Sequence, residues 1–213
     1  MKIQLHLHTS LYSSCAKAAP ERLMEKLIET GFDAVFITEH NAVWRDWEVD
    51  RLQQRYPDIK IYPGVEITIG RNSFQHLLVL GTVDPAFLEM RGEEQILDEA
   101  RARGHLTVLA HPFRWPDGHD MIERGNYPDA IEYRTSNHGP EEGQQSLDLA
   151  QRLDLPVVNA GDVHSLDVVN RFWIETEWEI FSPDDIREII QEGSYRNCML
   201  EGAPAPPRPH EVE

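Results

Sequence analysis

Two imidazoles separated by one residue, His6 and His8 in Met1-Lys-Ile-Gln-Leu-His-Leu-His-Thr-Ser10, open the chain. If Lys2–Leu7 is a strand, alternation puts Ile3, Leu5 and Leu7 on one side and Gln4, His6 and His8 on the other. Same-side neighbours on a strand lie about 7 Å apart, so two imidazoles can share one metal ion once oxygen ligands complete the set. H-x-H alone decorates ordinary strands about as often as it binds metal. Its weight comes from the other histidines and acids. Glu39 and His40 close the apolar run Ala34–Thr38, and Glu66 lies in Pro63-Gly-Val-Glu-Ile67. His111 follows Val108-Leu-Ala110, and Asp162 and His164 follow Val157–Ala160. Imidazoles mixed with carboxylates suit Zn, Mn or Fe, not Ca or Mg alone. Burying such a set without a cation is costly, because the carboxylates lose their solvation. His76 precedes its apolar run and needs a different route. It meets Glu66 if Val65–Ile69 and Phe74–Leu80 form a hairpin, on the same face only with a three- or five-residue loop.

The elements that must position these residues alternate between strand and helix. Strands are expected at Lys2–Leu7, Ala34–Thr38, Ile59–Tyr62, Val65–Ile69, Phe74–Leu80, Leu106–Ala110, Ala130–Tyr133, Pro156–Asn159 and, as the last, Phe172–Thr176. Pro63-Gly64 separates the third from the fourth, and residues 70–73 read as a turn. Helices are expected from Pro20 to Gly31, over Trp44–Tyr56, Gly92–Arg103 and Pro140–Asp154, and after Ser182 up to Gly193. This order argues for an α/β fold of largely parallel strands, either a small (β/α) barrel or an open sheet. Ligands gather at the strand ends of both. Residues 1–202 form one domain in this reading, with residues 203–213 a Pro-rich, disordered tail.

Bulk composition narrows the function classes. A formal net charge of −17 disfavours a general nucleic-acid or anionic-membrane surface, so no stable nucleic-acid partner and no membrane association are expected. No apolar run is long enough to span a bilayer, and the N-terminus lacks the layout of a signal peptide. With only Cys15 and Cys198, a disulfide framework is not expected, and the cytoplasm is the expected compartment. Composition does not address the oligomeric state.

Five ordered motifs now stand together: HLHTS from Leu5, ITEHN from Ile37, PGVEI from Pro63, AHP from Ala110 and GDVHS from Gly161. In type and order they resemble the polymerase-and-histidinol-phosphatase (PHP) superfamily of metal-dependent phosphoesterases. That resemblance implies a distorted (β/α)7 TIM-like barrel and two or three divalent transition-metal ions. It implies that His6, His8, Glu66 and Asp162 hold a first metal, and that Glu66 bridges to a second completed by His76 and His111. His40 and His164 match the third-metal positions, for which the loop Leu11–Cys15 offers only Cys15 as a further ligand. Glu39 stands where the family more often has Asp, as a ligand or as a support for one.

The implied chemistry is hydrolysis of a small phosphorylated substrate, a phosphomonoester or nucleotide-like ester, by a metal-bridged hydroxide. Arg134 is the first candidate for a phosphate-binding cation, then Arg114, with Lys17 and Arg171 behind them. His40 or His164 could protonate the leaving group. Two alternatives are a catalytically weak regulatory metal-binding module and an exonuclease acting on short oligonucleotide ends. An amidohydrolase site would use a carboxylated lysine as bridge, and none of the four lysines follows an apolar strand at the right stage.

Overall fold

Pro20 has no N–H to leave unpaired, so it opens helix α1 (Pro20–Glu29) at no cost, and Leu23, Met24 and Leu27 form the helix's buried stripe. Gly31, at φ +77°, reverses the chain into β2 (Ala34–His40), which follows β1 (Lys2–Gln4) and pairs with it in parallel. Helix α2 (Asp46–Arg55) leads to β3 (Lys60–Ile69), and β4 (Gln75–Leu80) returns antiparallel to it. After the short helix α3 (Ala86–Glu89) come α4 (Glu93–Arg103), β5 (Leu106–Ala110), α5 (Asp120–Glu123), β6 (Ala130–Glu132), α6 (Pro140–Leu153) and β7 (Val157–Val158). A 3₁₀ turn (Leu166–Val168), β8 (Phe172–Glu175), α7 (Asp185–Gln191) and β9 (Arg196–Met199) complete the order. The structure, a computed structural model, describes residues 1–70 and 74–202; the turn at 71–73 and the tail expected at 203–213 lie outside them.

The strands make one mixed sheet in the order β7-β6-β5-β4-β3-β2-β1-β8-β9, curved into a nearly closed barrel of the expected PHP type. The expectation of largely parallel strands needs correcting, because β3/β4, β4/β5, β1/β8 and β8/β9 are antiparallel. The five-residue connection into β4 leaves no room for a crossover helix, which parallel pairing requires. Pro63 and Gly64 do not break the chain into two strands. They lie inside β3, where a Cβ on Gly64 would come 3.1 Å from both the Thr38 side chain and the Val79 carbonyl. Phe172–Glu175 is not the last strand either; β9 follows it, and Cys198 sits there half-buried.

Ile3, Leu5, Phe36, Leu78, Val108, Ala130, Val158 and Ile174 come from around the barrel and form its inner core, joined by Ile186, Ile189 and Ile190 of α7. Where β7 and β9 do not pair, side chains bridge them. Asn159 N–H donates to Asn197 Oδ1 at 2.6 Å, Asn159 Nδ2 to the Cys198 carbonyl at 2.9 Å, and Tyr195 Oη to the Val157 carbonyl at 2.8 Å.

Candidate metal centre

The strand that carries His6 and His8 ends earlier than its alternation suggests. Ile3 and Leu5 pack in the inner core, whereas Leu7 joins the outer cluster with Leu23 and Leu27 of α1. Leu5 and Leu7 therefore do not share a face. Beyond Gln4 the backbone is held by a bridge to Val163 instead: His8 N–H donates to the Val163 carbonyl at 2.9 Å, and Val163 N–H to that of His6 at 3.1 Å. With Leu7 outward, both histidines turn into the barrel mouth, where they are fully buried.

His76 arrives by the hairpin. β3 and β4 pair with Ile69 opposite Gln75 and Thr68 opposite His76, so five residues connect them. Thr68 and Glu66 are two apart and share a face, so His76 Nδ1 reaches Glu66 Oε1 at 2.7 Å. His111 and Asp162 follow β5 and β7 with φ of +29° and +44°, in the left-handed region that non-glycine residues avoid. Such residues cost about 1–3 kcal/mol each and persist where surrounding contacts hold them, often at functional sites. Here His111 N–H donates to Glu132 Oε2 at 2.7 Å, and Gly161 N–H to Gln4 Oε1 at 2.6 Å. A Cβ on Gly161 would lie 2.5 Å from Gln4 Nε2, so only glycine fits beside Asp162.

Glu66 is the hub. Its Oε2 lies 3.2 Å from His6 Nε2, 3.1 Å from His8 Nε2 and 2.8 Å from His40 Nδ1. Its Oε1 lies 2.7 Å from His76 Nδ1 and 3.0 Å from His111 Nε2. Asp162 Oδ1 stands 3.2–3.3 Å from His6, His8 and His164. Four overlapping ligand groups result, each with donor atoms within 4.8 Å: His6/His8/Glu66, His6/His111/Asp162, His40/Glu66/His76 and His8/His40/His164.

Whether this donor set fits a cation can be read from where its protons are. Ser13 Oγ donates to Glu39 Oε2 at 2.6 Å, so toward His8 Nδ1, 3.3 Å away, it can only accept. His8 therefore carries its proton on Nδ1. His6 Nδ1 sits 2.7 Å from Glu132 Oε1 and donates to it in the same way. When these rings are neutral, both Nε2 atoms present lone pairs, 2.9 Å apart, toward Glu66 Oε2 and Asp162 Oδ1. Asp162 Oδ1 is buried without a hydrogen-bond partner, and the buried Glu66 Oε2 faces only imidazole nitrogens, those of His6, His8 and His40. Four lone pairs converge, and the group that suits all four is a cation.

The sequence profile of the PHP domain matches residues 4–113, just over half of the chain. This chain belongs to the PHP domain family. Solved structures of similar fold include a two-domain protein from Bacteroides vulgatus described as containing a predicted PHP-like metal-dependent phosphoesterase (TM-score 0.73, 16% identity, 94% of this chain and 65% of that one). Another is an amidohydrolase from Chromobacterium violaceum with bound sulfate and no metal (TM-score 0.61, 16% identity, 92% and 98% covered). A third is a lesion-specific endonuclease from Pyrococcus furiosus (TM-score 0.68, 18% identity, 94% and 59% covered). The chain thus spans about two thirds or less of the first and the third, and at such identities the likeness is one of fold. No curated protein matches it in sequence.

In this PHP domain the electrostatics follow from packing acids and imidazoles together out of water. Burial opposes charge on His6, but Asp162, Glu132 and Glu66 outweigh it and hold its pKa well above the ordinary value. His8 is raised too, against burial, by Asp162 and Glu66. Burial would push Glu66 and Asp162 up; the surrounding imidazoles, His6 foremost, hold both well below the usual carboxylate range. For His111 burial wins and lowers the pKa to about 3, and for His164 to about 4.

Glu39 stands outside the four ligand groups: its Oε2 accepts from Thr9 N–H and Ser13 Oγ, and its Oε1 from Thr9 Oγ1 and Trp44 Nε1. It holds the Ser13 hydroxyl that fixes His8. The Arg134 guanidinium lies against Tyr133, 4.8 Å from that ring's centre, with its Nη2 3.4 Å from the hydroxyl. Arg114 takes its place, with Nη1 3.8 Å from Asp162 Oδ2. Asn137 Nδ2 donates to the same Asp162 oxygen. Cys15 is exposed and in none of the four ligand groups, whereas His8, His40 and His164 alone make a three-imidazole set.

Glu132 is the functional residue the sequence reading passed over. It is fully buried, orients His6 with one oxygen and anchors the His111 backbone with the other. Its position at the end of a short apolar strand was the available signal. Glu132→Gln is expected to weaken metal binding about 10–100-fold, the usual cost of losing a ligand's carboxylate partner, while the fold persists. Titration with Mn²⁺ or Zn²⁺ checks this, and unchanged affinity would show that Glu132 does not orient His6.

Proposed function

We propose that this chain is a metal-dependent phosphoric ester hydrolase acting on a small phosphate ester. The observation that carries the reading is the paired donor set around Glu66: His6, His8 and Asp162 about one oxygen, His76 and His111 about the other. A carboxylate placed between two ligand clusters suits two cations sharing one bridge, the arrangement used for in-line displacement at phosphorus. Bound there, divalent cations supply Lewis acidity toward phosphoryl oxygens and bring the pKa of water toward neutrality. Arg114 adds a fixed positive charge beside Asp162, and guanidinium is matched to phosphate oxygens.

In the reaction a water oxygen bonds to phosphorus as the P–O bond to the alcohol breaks, and the alcohol oxygen takes up a proton. His40 and His164 stand at the partly open rim, their rings 5.7 Å apart, where a leaving alcohol would depart. At neutral pH the metal-free His164 is uncharged and accepts a proton rather than giving one. His40, 2.8 Å from Glu66 Oε2, is the better placed donor. Among the described residues no helix is long and apolar enough to cross a membrane.

The test is metal analysis of the purified chain followed by turnover of p-nitrophenyl phosphate and a panel of phosphomonoesters. Activity is expected to vanish with chelator and return with Mn²⁺, Zn²⁺ or Fe²⁺. Tightly held metal without turnover of any ester would favour a regulatory module instead.

A further inference from the structure

The imidazoles on the two sides of Glu66 are held by different forces. On the Oε2 side, His6 Nδ1 is fixed by Glu132 and His8 Nδ1 by Ser13, which leaves each Nε2 to face a cation. On the Oε1 side His111 lacks such support. Its Nε2 lies 3.0 Å from Glu66 Oε1, and its Nδ1 is buried with no hydrogen-bond partner among the described residues. A neutral His111 therefore keeps its proton on Nε2, where Glu66 accepts it. A cation on that nitrogen would leave the proton on Nδ1, buried and unpaired, which is costly.

Packing fixes the ring instead. Trp115, in the loop after β5, stands edge-on to both His76 and His111, 5.6 and 5.5 Å away between centres with the planes 64° and 80° apart. The two imidazoles lie 5.1 Å from each other, so the three rings form one unit. Trp115 is braced in turn. Phe74 stacks on it at 5.1 Å, and the Arg114 guanidinium lies 4.2 Å from its ring centre. Phe74 N–H donates to Asp117 Oδ2 at 3.1 Å, which ties the Trp115 loop to the start of β4, the strand that carries His76. Edge-on ring pairs have a preferred geometry, so a fixed indole fixes the imidazoles against it.

We propose that Trp115 is a positioning residue for the Oε1 half of the centre. It holds His76 and His111 where hydrogen bonds hold His6 and His8, and the cation on its side binds more weakly than the neighbouring one. The proposal deepens the metal-dependent reading above and rests on it for the presence of two cations.

The test is calorimetric titration of the metal-free full chain with Zn²⁺ against a competing chelator. A tight step is expected, followed by one about 10–100-fold weaker, the usual cost of a missing partner behind a ligand. Trp115→Leu keeps apolar bulk and loses the ring edge. It is expected to weaken the second step about tenfold further and to leave the first within about twofold. Trp115→Phe keeps a ring edge and is expected to recover most of that loss. Co²⁺ adds a signature that a loss of packing elsewhere would not move: in Trp115→Leu the visible absorption of the second equivalent changes and that of the first does not. If metal binds in these two steps but no ester turns over, the hydrolase reading fails and the affinities still decide the role of Trp115. Equal affinities in the wild-type chain, a single equivalent, a Trp115→Leu loss shared by both steps, or a Trp115→Phe loss as large as that of Trp115→Leu overturns the proposal.

Discussion

Glu66→Gln should abolish metal retention and ester hydrolysis together, with kcat/KM falling about 10³-fold or more, roughly 4 kcal/mol of lost transition-state stabilisation. The reason is the number of groups that share this one carboxylate. Five imidazoles, those of His6, His8, His40, His76 and His111, lie within 3.2 Å of its two oxygens. An amide of the same shape supplies one acceptor oxygen and an NH₂, so one of the two clusters would face a donor where it needs a lone pair. The negative charge that offsets paired cations is also lost. The barrel itself should survive, because Glu66 neighbours Val65 and Ile67 in β3 and their packing is untouched. Full activity with retained metal would remove Glu66 from the bridge, and far-UV circular dichroism with thermal unfolding separates that outcome from misfolding.

Much of this centre was legible in the sequence because strand ends and ligands coincide. A carboxylate or imidazole just after an apolar run of Val, Ile, Leu and Ala is carried to the barrel mouth, and His40, His111, Asp162 and His164 arrive in this way. His76 was reachable by register arithmetic alone, since the pairing of Thr68 with His76 fixes the parity that brings Glu66 alongside. Period-two reasoning failed where the backbone leaves the strand. The break after Gln4 puts Leu5 inside and Leu7 outside, and nothing in Ile-Gln-Leu-His-Leu announces it. Support residues were harder still. Glu132 and Glu39 look alike in sequence, both acids at strand ends, and both stand outside the four ligand groups. Only the positions of Ser13, Thr9 and the His6 ring show that one holds His6 and the other holds His8 through a hydroxyl. Arg114 and Arg134 likewise differ only in direction, a side-chain property that periodicity does not encode.

Acidification should expel the metals, and the structure indicates which protons do it. In the metal-free protein, protons take the place of cations among these carboxylates, which is why the His6 and His8 pKa values lie above 6.5. A metal must displace those protons to reach the Nε2 lone pairs, so binding should release protons and affinity should fall on acidification. His111 and His164, with pKa values of about 3 and about 4, are already neutral there and do not compete. The stability of the two forms then diverges in a definite direction. For His6 and His8 the folded pKa is raised, so their contribution to the metal-free fold is full below about pH 6.5 and is lost as pH rises through the folded values. For Glu66 and Asp162 the folded pKa is depressed. Their contribution is present above their unfolded values of 4.5 and 3.8 and is lost only as pH falls through the folded ones. Above about pH 5 the carboxylate contribution is therefore constant, while the metal-free protein loses that of the histidines as pH rises from about 6.5 through their folded values. Bound metal adds stability as RT ln(1 + [L]/Kd), so the gap in Tm between metal-loaded and metal-free protein should widen steadily as pH rises. Paired thermal melts across that range measure the gap, and calorimetry in buffers of different ionisation enthalpy counts the protons. A gap that stays level or narrows, with no proton released, would mean that the imidazoles already stand unprotonated in the metal-free protein.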